Sequence, residues 1–269
     1  MIKRILIAGA FIIALLFSSI SYSQDNFKSF NLKGKISNNL DIHMEIKPSS
    51  SDISSLDDHL DFNHLPGEII CQYSGFYYYD KYAKKIPIYG ALSSNGFIHL
   101  TEYNEKNKIN GWFRGFIKGD KIIKGVWSSP QGKKYPFYLF DSTKYPEDFD
   151  LNVPMDRVGG YERVDNTQDD CTYLTIYAEA NGKFFFEIVG WCKPVLKEPP
   201  TLSIGMLSEI AFYTDVTRTK ADFFYKYENL KIHFEFFEKQ VVVTADDAIA
   251  SYCEGAEGVK MGGTFIKTK

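Results

Sequence analysis

Residues Cys171–Cys192 read CTYLTIYAEANGKFFFEIVGWC, two runs of aromatic and β-branched residues around Asn181-Gly182. Such runs fit a pleated, half-buried surface. Asn-Gly between them is a strong hairpin signal, because a two-residue type I′ turn needs φ > 0 at both central positions. With that turn Ala180 pairs with Lys183, and Cys171 meets Cys192 at the open end as a non-hydrogen-bonded pair. Such pairs hold their Cα atoms about 4.5 Å apart, inside the ~4.4–6.8 Å that a disulfide accepts. The expectation is a long hairpin stapled by Cys171–Cys192. A bulge anywhere along it would slip the register by one and turn the two cysteines to opposite faces. Cys71 and Cys253 would be left over, buried and unbridged unless two units meet there.

The same grammar extends along the chain. Short runs rich in Ile, Val, Phe, Tyr and Thr cover Phe30–Lys35, Leu40–Ile46, Glu68–Tyr79, Lys85–Ser93, Phe97–Tyr103, Gly111–Lys118, Lys121–Trp127 and Lys134–Phe140. Ile42, Met44 and Ile46 alternate with Asp41, His43 and Glu45, the pattern of an antiparallel sheet with one wet face. Asn95-Gly96 predicts a type I′ turn between two of these strands. Gly119-Asp120 predicts another, which sets Trp112 opposite Trp127 as a cross-strand aromatic pair. Residues 143–170, with Pro146, Pro154, Gly159-Gly160 and many carboxylates, read as a connection. A second block of strands follows, in which Ala221–Tyr227 reads equally as a short helix and Asp246–Tyr252 as a helical turn. The fold class is all-β: two tandem antiparallel β-meander units, each a sandwich or a barrel, at 24–142 and 171–269.

Residues 1–23 have the order of a secretory signal peptide: Lys3 and Arg4, the apolar run Ile5–Phe17, then small residues ending at Ser21-Tyr22-Ser23. The run is short for a membrane span, and no Cys stands at the cleavage point to carry a lipid. The expected product is exported, periplasmic or secreted, where the cysteines are candidates for disulfides. The 269 residues are 44% hydrophobic, enough to build a sizeable core and too apolar for a disordered chain. A net charge of −3, more negative once Lys3 and Arg4 are removed, gives no electrostatic footprint for nucleic acid. No later stretch is long and apolar enough for a span in the mature chain.

The run Gly75-Phe76-Tyr77-Tyr78-Tyr79-Asp80-Lys81-Tyr82, with Ile86-Pro87-Ile88-Tyr89-Gly90 and Gly125-Val126-Trp127, resembles a β module of exported proteins from Bacteroidetes-type bacteria. The run Cys253-Glu254-Gly255-Ala256-Glu257-Gly258-Val259 with Gly262-Gly263-Thr264-Phe265 resembles the tail of small secreted, lysozyme-inhibitor-like β domains. It departs from that tail at Glu254, where a Gly is usual, and at Phe265, where a Tyr is usual. The resemblance carries no catalytic motif. It does imply a rival disulfide, Cys171–Cys253.

Searches for G-x-S-x-G, H-E-x-x-H, P-loop and dinucleotide fingerprints return nothing. Asp57, Asp58, His59, Asp61 and His64 gather metal-ligating types, but at no standard spacing; Asp165, Asp169 and Asp170 lack the pattern of a calcium loop. No metal site and no cofactor is expected. The aromatics are the sharper feature. On a strand Phe76 and Tyr78 share one side, and Tyr77 and Tyr79 the other. One set fills the core; the other packs under a loop or forms a shelf for sugar rings or a partner protein. The shelf candidates are Tyr77, Tyr79, Tyr82, Trp112 and Trp127. The leading expectation is therefore a non-enzymatic protein that binds an extracytoplasmic protein or glycan, such as an inhibitor of lysozyme. A β-barrel that binds a small molecule or glycan follows, and then a secreted hydrolase with a non-local site.

Overall fold

A computed structural model describes residues 27–37, 39–49, 65–118, 122–143, 155–192, 203–225, 230–246 and 259–268. The fold is all-β, and both units are closed barrels of eight antiparallel strands. The first barrel runs β1 (Phe30–Ile36), β2 (Leu40–Pro48), β3 (Ile69–Tyr79), β4 (Ile86–Ser93), β5 (Phe97–Tyr103), β6 (Ile109–Lys118), β7 (Ile122–Ser128) and β8 (Lys134–Asp141). Each strand pairs with the next, and β1 closes the ring on β8, with Gly34 opposite Leu139. The second barrel runs β9 (Gly159–Arg163), β10 (Asp170–Ala180), β11 (Lys183–Cys192), β12 (Ser203–Tyr213), β13 (Lys220–Tyr225), β14 (Leu230–Phe236), β15 (Gln240–Ala245) and β16 (Gly263–Lys267). Here β9 lies between β10 and β16 and completes the ring.

Period-two alternation supplies both interiors. On β2, Ile42, Met44 and Ile46 are buried while Asp41, Glu45 and Lys47 are exposed. In the second barrel Phe184, Phe186 and Phe234 are fully buried and meet edge to face, with Phe234 5.3 Å from Phe184 and 5.0 Å from Phe186. Eight strands enclose an interior that side chains can fill, and the aromatics fill this one.

The wall of the first barrel is drawn tight at Gly90. A Cβ there would stand 1.8 Å from the carbonyl oxygen of His99 on the neighbouring strand. Backbone cannot yield as a flexible side-chain tip can, so Gly90→Ala is expected to destabilise the protein by about 1–3 kcal/mol or more. Urea denaturation measures it; a variant as stable as the wild type would mean that the strands do not approach this closely.

Several local expectations are corrected. The Asn95-Gly96 connection is a three-residue loop, since Leu92 pairs with Ile98. Gly96 N–H bonds Ser93 O at 2.9 Å, and Gly96 alone of the pair takes positive φ, at 80°. That is a turn followed by one left-handed residue, the usual three-residue hairpin. Between β6 and β7, Lys118 pairs with Ile122, so Trp112 opposes Ser128 and Phe113 opposes Trp127. Residues 220–225 are strand and not helix. The expected connection at 143–170 contributes β9, and Asp170 already belongs to β10.

The turn at Asn181-Gly182 forms as expected, with φ of 56° and 77° and Ala180 opposite Lys183. The Cys171–Cys192 staple does not. A bulge between Ile176 and Ala178 slips the register, so that Cys171 opposes Trp191 and Cys192 opposes Asp170. The two cysteines then lie on opposite faces, with Cys192 in the barrel core, and no disulfide joins them. Cys71 is also buried and unbridged. Cys253 and the rival pairing, the signal segment, the 57–64 loop and residues 247–252 lie outside the described residues.

The barrels meet through their outer faces. Phe97 and Phe116 of the first pack with Ala178, Ala180, Phe185 and Ile210 of the second. Phe97 and Phe185 lie 4.7 Å apart, and Lys183 Nζ donates to Asn95 O at 3.1 Å. The Arg114 guanidinium lies 4.7 Å from the Tyr177 ring, a cation–π contact between the two units.

Candidate functional site

On β5 the inward phase runs Ile98, Leu100, Glu102. The first two join the apolar core, and the third brings a carboxylate to the mouth of the first barrel, where it is 2% exposed. Burying an ionised carboxylate costs several kcal/mol unless hydrogen bonds replace its water. Glu102 has such bonds. Its Oε2 accepts from Tyr77 Oη at 2.8 Å and Trp127 Nε1 at 3.0 Å, and its Oε1 accepts from Asn110 Nδ2. Tyr79 joins through its hydroxyl, 3.5 Å from that of Tyr77.

Each donor is placed by its strand. Tyr77 and Tyr79 share the inward phase of β3, while Phe76 and Tyr78 turn out, the latter stacked 5.2 Å from His43. Trp127 points inward because it opposes the buried Phe113. Its indole crosses the space above Gly111, where a Cβ would come within 2.7 Å of Nε1; only glycine leaves the ring free to reach Glu102. Burial, reinforced by the charge of Glu102, pushes the Tyr77 hydroxyl far above its ordinary pKa, and burial also raises that of Tyr79. Both phenols therefore stay protonated and serve as donors.

Beside this network a cavity of about 470 Å³ is lined by Lys84, Lys85, Ile86, Pro87, Glu102, Tyr103, Asn104, Glu105, Lys106 and Asn110. Its size falls in the range of small-molecule sites. Tyr103 is 3% exposed, and its hydroxyl has no hydrogen-bond partner among the described residues.

Of the aromatics singled out in the sequence, Tyr77, Tyr79 and Trp127 thus converge, inside the mouth and not on an open shelf. Tyr82 is 66% exposed on the loop between β3 and β4. Trp112 turns outward beneath Arg114, whose guanidinium is 5.1 Å from its ring. Glu102 and Asn110 went unrecognised, although a charged residue in the phase of Ile98 and Leu100 is a legible signal.

The second barrel also buries a carboxylate. The bulge before Ala178 turns Glu179 inward, opposite Phe184, the kind of re-aiming that bulges perform. Glu179 is 1% exposed and accepts from Tyr213 Oη at 2.8 Å and Arg218 Nη1 at 2.7 Å. Arg157 Nη1 stands 3.9 Å away, its guanidinium 4.4 Å from the Phe236 ring. Burial raises the Glu179 pKa in spite of these partners. Elsewhere in this barrel the buried Arg163 ties Asp165 at 2.6 Å and Asp170 at 2.8 Å. These charges face one another, although Arg157 Nη1, Arg163 Nε and Glu179 Oε2 make no hydrogen bond among the described residues.

Among the described residues no group of three or more His, Cys, Asp or Glu is placed to hold a metal ion, and no helix is long and apolar enough to cross a membrane. Compared with known proteins, the chain matches no family model, no curated protein and no solved structure.

Proposed function

We propose that this is an exported, non-catalytic binding protein that receives a small ligand, a molecule or the end of a glycan, at the mouth of its first barrel. The observation that carries the reading is Glu102: a buried carboxylate held by neutral donors at the wall of a ligand-sized cavity. An apolar residue of similar volume would close a barrel end at less cost, so the network is better explained by recognition than by stability. The inhibitor reading drawn from the sequence rests on export, the all-β scaffold, the aromatic strands, the acidity and the tail resemblance around Cys253, and is tested alongside.

The Trp127 indole proton reports on the site directly, because it is bonded to Glu102. A library of small polar compounds and mono- and disaccharides is expected to contain ligands that move the Trp127 indole resonance, and Glu102→Gln is expected to weaken them. Turnover of an ester, peptide or glycoside that Glu102→Gln abolishes would make the site catalytic and overturn the proposal. Inhibition of lysozyme that is indifferent to Glu102→Gln would place the function away from the mouth and overturn it too.

A further inference from the structure

The unfilled hydrogen-bonding capacity at this mouth narrows the ligand. A carboxylate offers about four lone-pair positions. Tyr77 and Trp127 take two on Oε2 and Asn110 takes one on Oε1, which leaves one acceptor position on Glu102. Leaving a buried acceptor position unmade costs about 1–3 kcal/mol, so a ligand that supplies a hydroxyl to Glu102 gains a bond the protein itself does not make. Ile86 and Pro87 add an apolar wall suited to the C–H face of a sugar ring.

Charge decides the rest. The lining carries Lys84, Lys85 and Lys106 against Glu102 and Glu105. Lys84 is paired with Glu105, and Lys85 Nζ lies 3.8 Å from the centre of the Phe76 ring. Neither Lys85 nor Lys106 has a carboxylate partner among the described residues, and Lys106 has no ring contact either. Lys85 and Lys106 repel an amine, and the Glu102 carboxylate repels a dianion such as a phosphate monoester. A single negative charge, held at the rim and away from Glu102, suits both.

We propose, resting on the binding reading above, that the mouth takes a sugar-sized hydroxylated carboxylic acid, with one hydroxyl on Glu102 and the acid group toward Lys106. Full-length mature protein titrated with glucuronate, glucose and glucosamine, followed by the Trp127 indole resonance, tests it. Glucuronate is expected to bind about fivefold more tightly than glucose, the scale of one exposed ion pair, with the preference shrinking as salt is raised. Glucosamine is expected to bind least well.

Glu102→Gln keeps the shape and can still accept from Tyr77 and Trp127, yet it should lose at least about tenfold in affinity for glucuronate. Lys106→Ala, at an exposed position that the fold does not depend on, should erase the preference over glucose. Glucose binding as tightly as glucuronate, or affinity unchanged in Glu102→Gln, would overturn this assignment while leaving the mouth a binding site. A Trp127 resonance unmoved by every compound of the wider library would overturn the binding reading itself.

Discussion

Phe184→Ala is expected to cost about 3–5 kcal/mol of stability, a large share of the roughly 5–15 kcal/mol that holds a typical domain folded. The ring is fully buried, with Tyr213, Phe234 and Phe236 at 5.4, 5.3 and 5.5 Å and Phe186 at 6.0 Å. Closed walls hold those neighbours at fixed spacing, so they collapse only partly into the vacated volume. The variant loses burial, edge-to-face contacts and packing together. Phe184→Leu, which keeps most of the volume, is expected to cost distinctly less. Urea unfolding followed by near-ultraviolet circular dichroism measures both. A loss below about 1 kcal/mol for Ala would show that the barrel repacks freely.

Removing Glu179 is the second large effect. Glu179→Ala leaves Arg157, whose side chain is only 13% exposed, with the exposed Asp156 at 3.8 Å as its one remaining carboxylate among the described residues, and breaking a buried pair on one side costs about 3–5 kcal/mol. Arg218 is 38% exposed and can turn to water, which places the expected loss at the lower end. Glu179→Gln keeps an acceptor for Tyr213 and isolates the charge. Burial lifts the native Glu179 pKa above its ordinary 4.5, so the folded protein takes up this proton at a higher pH than the unfolded chain does. Stability relative to Glu179→Gln should therefore fall as pH rises from about 4.5 through the native pKa, and should level off on either side. Asp170 and Asp222, whose pKa values are lowered, act in the opposite direction at more acid pH and are common to both proteins. A difference that grows with pH would mean that the arginines outweigh burial.

The all-β class and its two tandem antiparallel units were legible from local chemistry, because alternation such as that of Ile42, Met44 and Ile46 is written into neighbouring residues. The Asn181-Gly182 turn was legible for the same reason. Asn95-Gly96 misled because only its glycine takes the left-handed conformation. The bulge beside Tyr177 was invisible: Tyr177 is an ordinary strand residue, and its place is set by Phe185, 5.1 Å away across the hairpin, and by Arg114 of the other barrel. β9 escaped because Gly159-Gly160 reads as a breaker, whereas pairing with β10 and β16 holds it extended. At the candidate site the aromatics drew attention through composition. Glu102 needed the strand phase, which becomes certain only when Ile88 is seen opposite it.

Ring closure has a consequence for how this protein meets others. Every strand of both barrels is flanked on each side by another, and among the described residues the ladder thins only between β12 and β13, which pair at Phe212–Asp222 and Tyr213–Ala221 and leave most of that side of β12 without a partner strand. Strand addition, the route by which many sheets recruit peptides and by which damaged sheets nucleate fibrils, is confined among the described residues to that one seam. Away from that seam a partner must read side chains and loops, and recognition is left to the mouths and outer faces of the barrels.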